Sequence, residues 1–242
     1  MSQKQQAKVR GRSNKVMIFT CALALVAAVI VGLIINNATA GSRFENEVVA
    51  INDAFSSGDD QKIEEVLKRT VSSGNYAKVE TSLKSYVGDL SSNINQIDEI
   101  ADNETVYSAL DGDYLEKNID KLDEIIATLT DISSKVEILT TNAKKLYNKE
   151  DVKSYIQDKN LGEGFQTLFF DNAKLFYDDN DLHENYDSTL KLLRGSVLVE
   201  IEAVTYLKDH RSDWEIKDKK VVFKNDKASK EYTKILEKVA NY

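Results

Sequence analysis

The residues of this chain with most chemistry to offer are its two histidines, His183 and His210, its one cysteine, Cys21, and the acidic run Asp178-Asp179-Asn180-Asp181. Metal sites and general acid–base sites draw on His, Cys and carboxylates at fixed spacing. His183 and Asp187 stand one helical turn apart with Glu184 between them, so a single helix face could offer an imidazole and a carboxylate to a metal. The same acids have a simpler use, because Asp181 followed three residues later by Glu184 is the pattern that caps a helix N-terminus. His210 falls near a helix C-terminus, where a cation complements the dipole. The run from Asp178 lacks the spacing of a calcium loop, and acidic clusters of this kind form solvated turns. Gly162-Glu163-Gly164 lacks the strand and helix of a phosphate loop, and no HExxH, GxSxG, Walker or GxGxxG pattern occurs. The sequence assigns no catalytic residue, no metal ligand and no cofactor, and predicts a non-enzymatic protein.

Cys21 leads to the strongest single signal. It lies in residues 16–35, VMIFTCALALVAAVIVGLII, twenty positions without a charge or an amide. A helix of that length spans roughly 30 Å, the thickness of a bilayer's hydrocarbon core. The fifteen residues before it carry Lys4, Lys8, Arg10, Arg12 and Lys15 and no acid. The positive-inside rule therefore predicts a cytoplasmic N-terminus, with the chain from about Gly41 onward outside the cell membrane. Ala38-Thr39-Ala40 before Gly41 would suit a signal-peptidase site, but an apolar run of twenty exceeds the usual signal core of about 7 to 15 residues and favours an uncleaved signal-anchor. The expected organisation is a basic cytoplasmic tail at 1–15, a transmembrane helix at 16–35, a short linker at 36–43 and an extracytoplasmic domain at 44–242, with a sub-boundary near 148–164.

Five of the 32 basic residues and none of the 40 acids lie in 1–40, which leaves 27 basic and 40 acidic residues, a net charge of −13, for 41–242. Such acidity argues against nucleic acid as a partner. With Cys21 inside the apolar run, the rest of the chain has no disulfide and must be held by its core. It contains no proline at all, so nothing interrupts long helices and no proline-rich stalk or ligand motif exists. Asn37-Ala38-Thr39 and Asn103-Glu104-Thr105 fit the glycosylation sequon, a pattern common by chance.

Periodicity supplies the elements that would position any site, and predicts a mainly all-α fold. Apolar positions from Phe44 to Phe55 mark one helix, and Ile63 to Leu67 a short second one opened by Asp59 or Asp60. Tyr76, Val79, Leu83, Tyr86, Leu90, Ile94 and Ile97 predict a long helix over 75–101. Leu122, Ile125, Leu129, Ile132, Val136, Leu139, Ala143 and Leu146 alternate spacings of 3 and 4, a heptad seam that either packs in an intramolecular antiparallel bundle with the Tyr76 to Ile97 helix or joins two copies of the chain as a homo-oligomer. Asn148 is expected to cap a short helix through Ile156, and Asp181 a long one with Tyr186, Leu190, Leu193, Val197 and Val204 inward. Gly195 within that helix signals close packing against a neighbour. Trp214 and Ile216, a turn at Asp218-Lys219 and Val221-Val222-Phe223 predict a small C-terminal β-hairpin, followed by a helix capped by Asp226.

The segment 165–177 is apolar on most of its faces. A helix of that kind is central in a core or docked on something else. Phe165, Phe169, Phe170 and Phe176, together with Trp214, are therefore the candidate residues for an apolar interaction site or pocket. The expected function is that of an envelope adaptor or a subunit of a membrane complex, bound to the bilayer through 16–35 and to another membrane or envelope protein through its body. The alternative is an extracytoplasmic small-ligand-binding or sensor bundle lined by those aromatics. An enzyme acting on cell-wall material would need two carboxyl groups about 5 to 9.5 Å apart in a cleft, and no such pair is legible.

Overall fold

A computed structural model describes residues 41–241, Asp158 and Asp179 excepted. The apolar run at 16–35 and the basic tail before it lie outside the described residues. Among the described residues, no helix is long and apolar enough to cross a membrane. The described chain is mainly helical, with a small antiparallel two-stranded sheet near its C-terminus.

The elements in order are α1 (Ser42–Ser57), α2 (Asp60–Lys68), α3 (Gly74–Ala101), α4 (Glu104–Ser108), α5 (Gly112–Lys117), α6 (Leu122–Leu146), α7 (Lys149–Val152), α8 (Ser154–Gln157), α9 (Glu163–Tyr177), α10 (Asn180–Asp209), β1 (Trp214–Lys217), β2 (Lys220–Phe223) and α11 (Asp226–Glu237). Local chemistry sets most of their ends. Gly58 closes α1 at φ 61°, a backbone conformation that glycine adopts without steric cost. The Asp59 carboxylate accepts the amides of Gln61 and Lys62 at 3.1 and 3.3 Å, and the Asn103 side chain accepts that of Thr105 at 3.0 Å. Asn148 accepts the amides of Glu150 and Asp151, but the single helix expected there is two short ones, α7 and α8, with Lys153 between. The cap of α11 is Asn225, which accepts Ala228 N–H at 2.8 Å, and not Asp226. Asn and Asp cap about equally well, so pattern alone does not choose between neighbours.

The chain forms two compact units. The first comprises 41–95 and Thr141–Asp187. Phe44, Val48 and Ile51 of α1, Leu83, Tyr86 and Val87 of α3, and Phe169, Ala173 and Phe176 of α9 are among its buried residues. Tyr86 is fully buried, yet its hydroxyl donates to the Leu146 carbonyl at 3.0 Å, so the core holds no unmet donor there.

The second unit comprises Gln96–Thr140 and 188–241. Within it α6 and α10 are joined by Lys208 to Asp123 at 2.7 Å and by Arg194 to Glu137 at 3.4 Å, so residue numbers rise on one helix as they fall on the other. The hairpin pairs Trp214 with Phe223 and Lys217 with Lys220, and its turn holds Asp218 and Lys219 at φ 49° and 61°. Those angles suit the right-handed twist of a two-residue hairpin, although neither residue is glycine. The turn seats directly on the start of α5, where a Cβ added to Gly112 would lie 2.2 Å from the Lys219 carbonyl oxygen. Trp214 is buried, and its indole N–H donates to the Leu207 carbonyl of α10 at 2.6 Å.

All eight positions of the heptad seam are at most 6% exposed in the single chain. The seam is covered by its own chain, and a homo-oligomer through that face would have to displace this packing.

Candidate functional site

The densest chemistry lies in the first unit, where charged side chains are buried together. α1 brings Glu47, the connection between α2 and α3 brings Arg69, Val71 and Ser72, and α3 brings Glu80 and Lys84 one turn apart. The side chains of Glu47, Glu80 and Lys84 are only 4%, 1% and 5% exposed. Lys84 Nζ donates to Glu47 Oε1 at 2.5 Å, to Glu80 Oε1 at 2.8 Å and to the Arg69 carbonyl at 2.8 Å. Arg69 grips Glu47 from the other side through Nε at 2.8 Å and Nη2 at 2.9 Å. Glu80 in turn accepts the amides of Val71 and Ser72 at 3.1 and 2.8 Å, so its carboxylate fixes the connection that leads into α3.

The electrostatics follow from these bonds. Burial alone would raise the Glu47 carboxyl, but hydrogen bonds from Arg69 and Lys84 hold it below its ordinary value. Glu80 is likewise pushed up by burial and brought below its ordinary value by Lys84 and the amides of Ser72 and Val71. Two carboxylates meet two cations, so the cluster is neutral. All three Lys84 N–H donors are used inside the protein, and none is left for a substrate. The arrangement can clamp α1, the α2–α3 connection and α3; it offers neither a displaceable ligand position nor a free nucleophile. Sequence reasoning missed it. The available signal was the pair Glu80 and Lys84 beside the apolar positions Val79, Leu83 and Val87, which places an (i, i+4) ion pair at the edge of a buried stripe.

The aromatic candidates divide between the units. Phe165, Phe169, Phe170 and Phe176 lie on α9 in the first unit, and Trp214 belongs to the second. Phe169 and Phe176 are 0% and 4% exposed, whereas Phe165 and Phe170 are half-buried. Phe165 meets Tyr76 edge-on at 5.1 Å, Phe176 meets Tyr86 edge-on at 6.0 Å, and Phe169 packs against Phe170 at 5.3 Å. Lys149 Nζ stands 5.9 Å over the Phe170 ring. These are the offset and edge contacts of a protein interior.

The histidines are also used locally. His183 Nε2 donates to the Phe176 carbonyl at 3.2 Å while its ring lies 4.0 Å from Tyr147. His210 Nδ1 donates to the Tyr206 carbonyl at 3.0 Å and stacks on the Tyr206 ring. Among the described residues, no group of three or more His, Cys, Asp or Glu side chains is placed to hold a metal ion. No protein-family model, no curated protein and no solved structure matches this chain.

Proposed function

We propose that this chain is a single-pass membrane protein whose N-terminal tail is cytoplasmic and whose acidic body stands outside as a bundle with long antiparallel helices, serving as an adaptor or as a subunit of a membrane complex. The observation that carries the reading is the uncharged run at 16–35 behind a purely basic tail. The packing described above supports the non-enzymatic part. The buried charged groups of the first unit satisfy one another, and the α9 aromatics turn toward Tyr76 and Tyr86, which is use as core rather than as pocket lining.

With the heptad seam covered, contact with another protein falls to exposed positions. Ile138 on α6, 60% exposed, and Leu198 on α10, 38% exposed, are apolar side chains left at the surface of the second unit. The test is made in the protein's own membrane. Alkaline extraction should leave the chain in the pellet, protease added outside intact cells should remove the body, and a photo-crosslinker at position 138 should capture one reproducible partner. Release by alkali, or a body shielded from external protease, would overturn the anchored reading. Capture of nothing at 138 and at 198, with the anchor retained, would overturn the adaptor reading alone.

A further inference from the structure

The C-terminal hairpin leaves one strand edge open. Lys224 N–H donates to the Asp213 carbonyl at 2.8 Å, and the pairing runs from there through Glu215 with Val222 to Lys217 with Lys220. Hydrogen-bonded and non-hydrogen-bonded pairs alternate along an antiparallel ladder. Trp214 with Phe223 and Ile216 with Val221 are therefore the non-bonded pairs, whose amides and carbonyls point away from the partner strand. On β1 the Trp214 carbonyl accepts Arg211 Nη1 at 3.4 Å, and the Arg211 guanidinium lies 4.7 Å over the Trp214 ring. On β2 no described residue bonds the amide or carbonyl of Val221 or Phe223. Backbone groups that the fold leaves unpaired meet water or another chain, so the β2 edge is a template for an added strand.

The side chains along this edge define which strand fits. Lys220, Val222 and Lys224 alternate onto the outer face of the hairpin, and all three are exposed. Lys220 forms no ion pair among the described residues, and Lys224 Nζ donates to the uncharged Ser212 carbonyl. Glu215, the acid on the same face, lies on β1 and is held by Lys217. Residues 214–242 carry eight lysines and five acids, whereas 41–213 hold 19 basic and 35 acidic residues, so the hairpin belongs to the one basic stretch of an acidic body. Two occupants fail on charge. A second copy paired antiparallel through all the open groups would be centred on Val222 and would set Lys220 against Lys224 of the other copy, where like charges repel. Residues 1–40 of the same chain contain no acid.

We infer that the β2 edge is the docking site for an extended acidic segment of a partner protein. The segment adds as a third strand, bonds Val221 and Phe223 through its main chain, and sets acids against Lys220 and Lys224 with an apolar residue against Val222. Main-chain bonds supply the attachment and the lysines supply the selection, since the pair that rejects a second copy admits acids at those two places. The inference rests on the adaptor reading in assigning the segment to a partner protein.

The test uses the full-length protein, isotope-labelled at valine and phenylalanine, in nanodiscs of phosphatidylcholine. Water exchange of the Val221 and Phe223 amides is followed by NMR as a synthetic peptide with the pattern glutamate, threonine, valine, threonine, glutamate is added. At half saturation both amides should exchange about half as fast, because the bound fraction is protected. The same peptide with lysines in place of its glutamates should change neither amide. Lys220→Glu should weaken binding about three- to tenfold. Val221→Pro, which removes an outward N–H and no ladder bond, should abolish the slowing at Phe223 while Trp214 emission stays that of a folded hairpin. Exchange unchanged at millimolar peptide, slowing that the lysine peptide reproduces, or binding that leaves both amides as they were would each overturn the docking edge. Slowing in phosphatidylglycerol nanodiscs without peptide would give the surface to anionic lipid and overturn it as well. None of these readouts depends on alkaline extraction or on capture at position 138, so the adaptor reading stands or falls separately.

Discussion

Gly112 offers the sharpest test of how the C-terminal hairpin is seated. An ideal Cβ at this position would lie 2.2 Å from the Lys219 carbonyl oxygen, 2.3 Å from its carbon and 2.7 Å from the Lys220 nitrogen, whereas real Cβ atoms keep at least 3.0 Å from such neighbours. Gly112→Ala therefore forces the hairpin turn to retreat by roughly 0.8 Å at the oxygen. All three atoms are backbone, so no side chain can swing aside. The turn is further tied by the Lys217 and Lys220 pairing and by the ion pair of Lys219 with Asp113 at 2.8 Å. Forced overpacking costs about 1 to 3 kcal/mol, and a rigid obstacle belongs at the upper end. Alanine returns up to about 1 kcal/mol through its better helix propensity at the start of α5. The net loss is about 2 kcal/mol, or a fall in Tm of about 4 to 8 °C for a body of this size. Thermal melting of the full-length protein, followed by Trp214 emission, measures it. Gly164→Ala serves as the control, since it lies inside α9 with nothing within 4 Å of the Cβ it would add, and should leave stability unchanged or raise it by up to about 1 kcal/mol. A Gly112→Ala protein as stable as the wild type would refute the claim that the hairpin rests on this glycine.

The buried cluster of the first unit makes further demands. Lys84→Met leaves Glu47 and Glu80 facing each other without their shared cation and should destabilise the protein by about 3 to 5 kcal/mol in urea titration; a loss below about 1 kcal/mol would show that the carboxylates reach solvent. Because both carboxyls are held below their ordinary value of 4.5, their contribution is complete above that pH and should be lost as pH falls below it, and Glu80→Gln should flatten this acid limb of the stability curve. Tyr86→Phe removes the donor to the Leu146 carbonyl and should cost about 1 kcal/mol by the same titration. Ile138→Glu should leave the melting temperature unchanged within error, while abolishing capture of a partner at that surface.

The long helices were legible because each writes its buried face into the sequence at helical spacing. Tyr86, Leu129 and Leu190 stand in such stripes and are at most 1% exposed. The hairpin was legible for the same kind of reason, since alternation around Asp218-Lys219 names both strands and the turn. The asymmetry of charge is also a property of sequence alone, and the proposed membrane anchor rests on sequence alone, as both depend on composition along the chain and on no contact. Tertiary structure decided the rest. Glu47, Arg69 and Lys84 are separated by 22 and 15 residues, and no local pattern announces that they meet. Gly112 reads in the sequence as a break between acids, and only the approach of a backbone more than one hundred residues later makes its missing Cβ necessary.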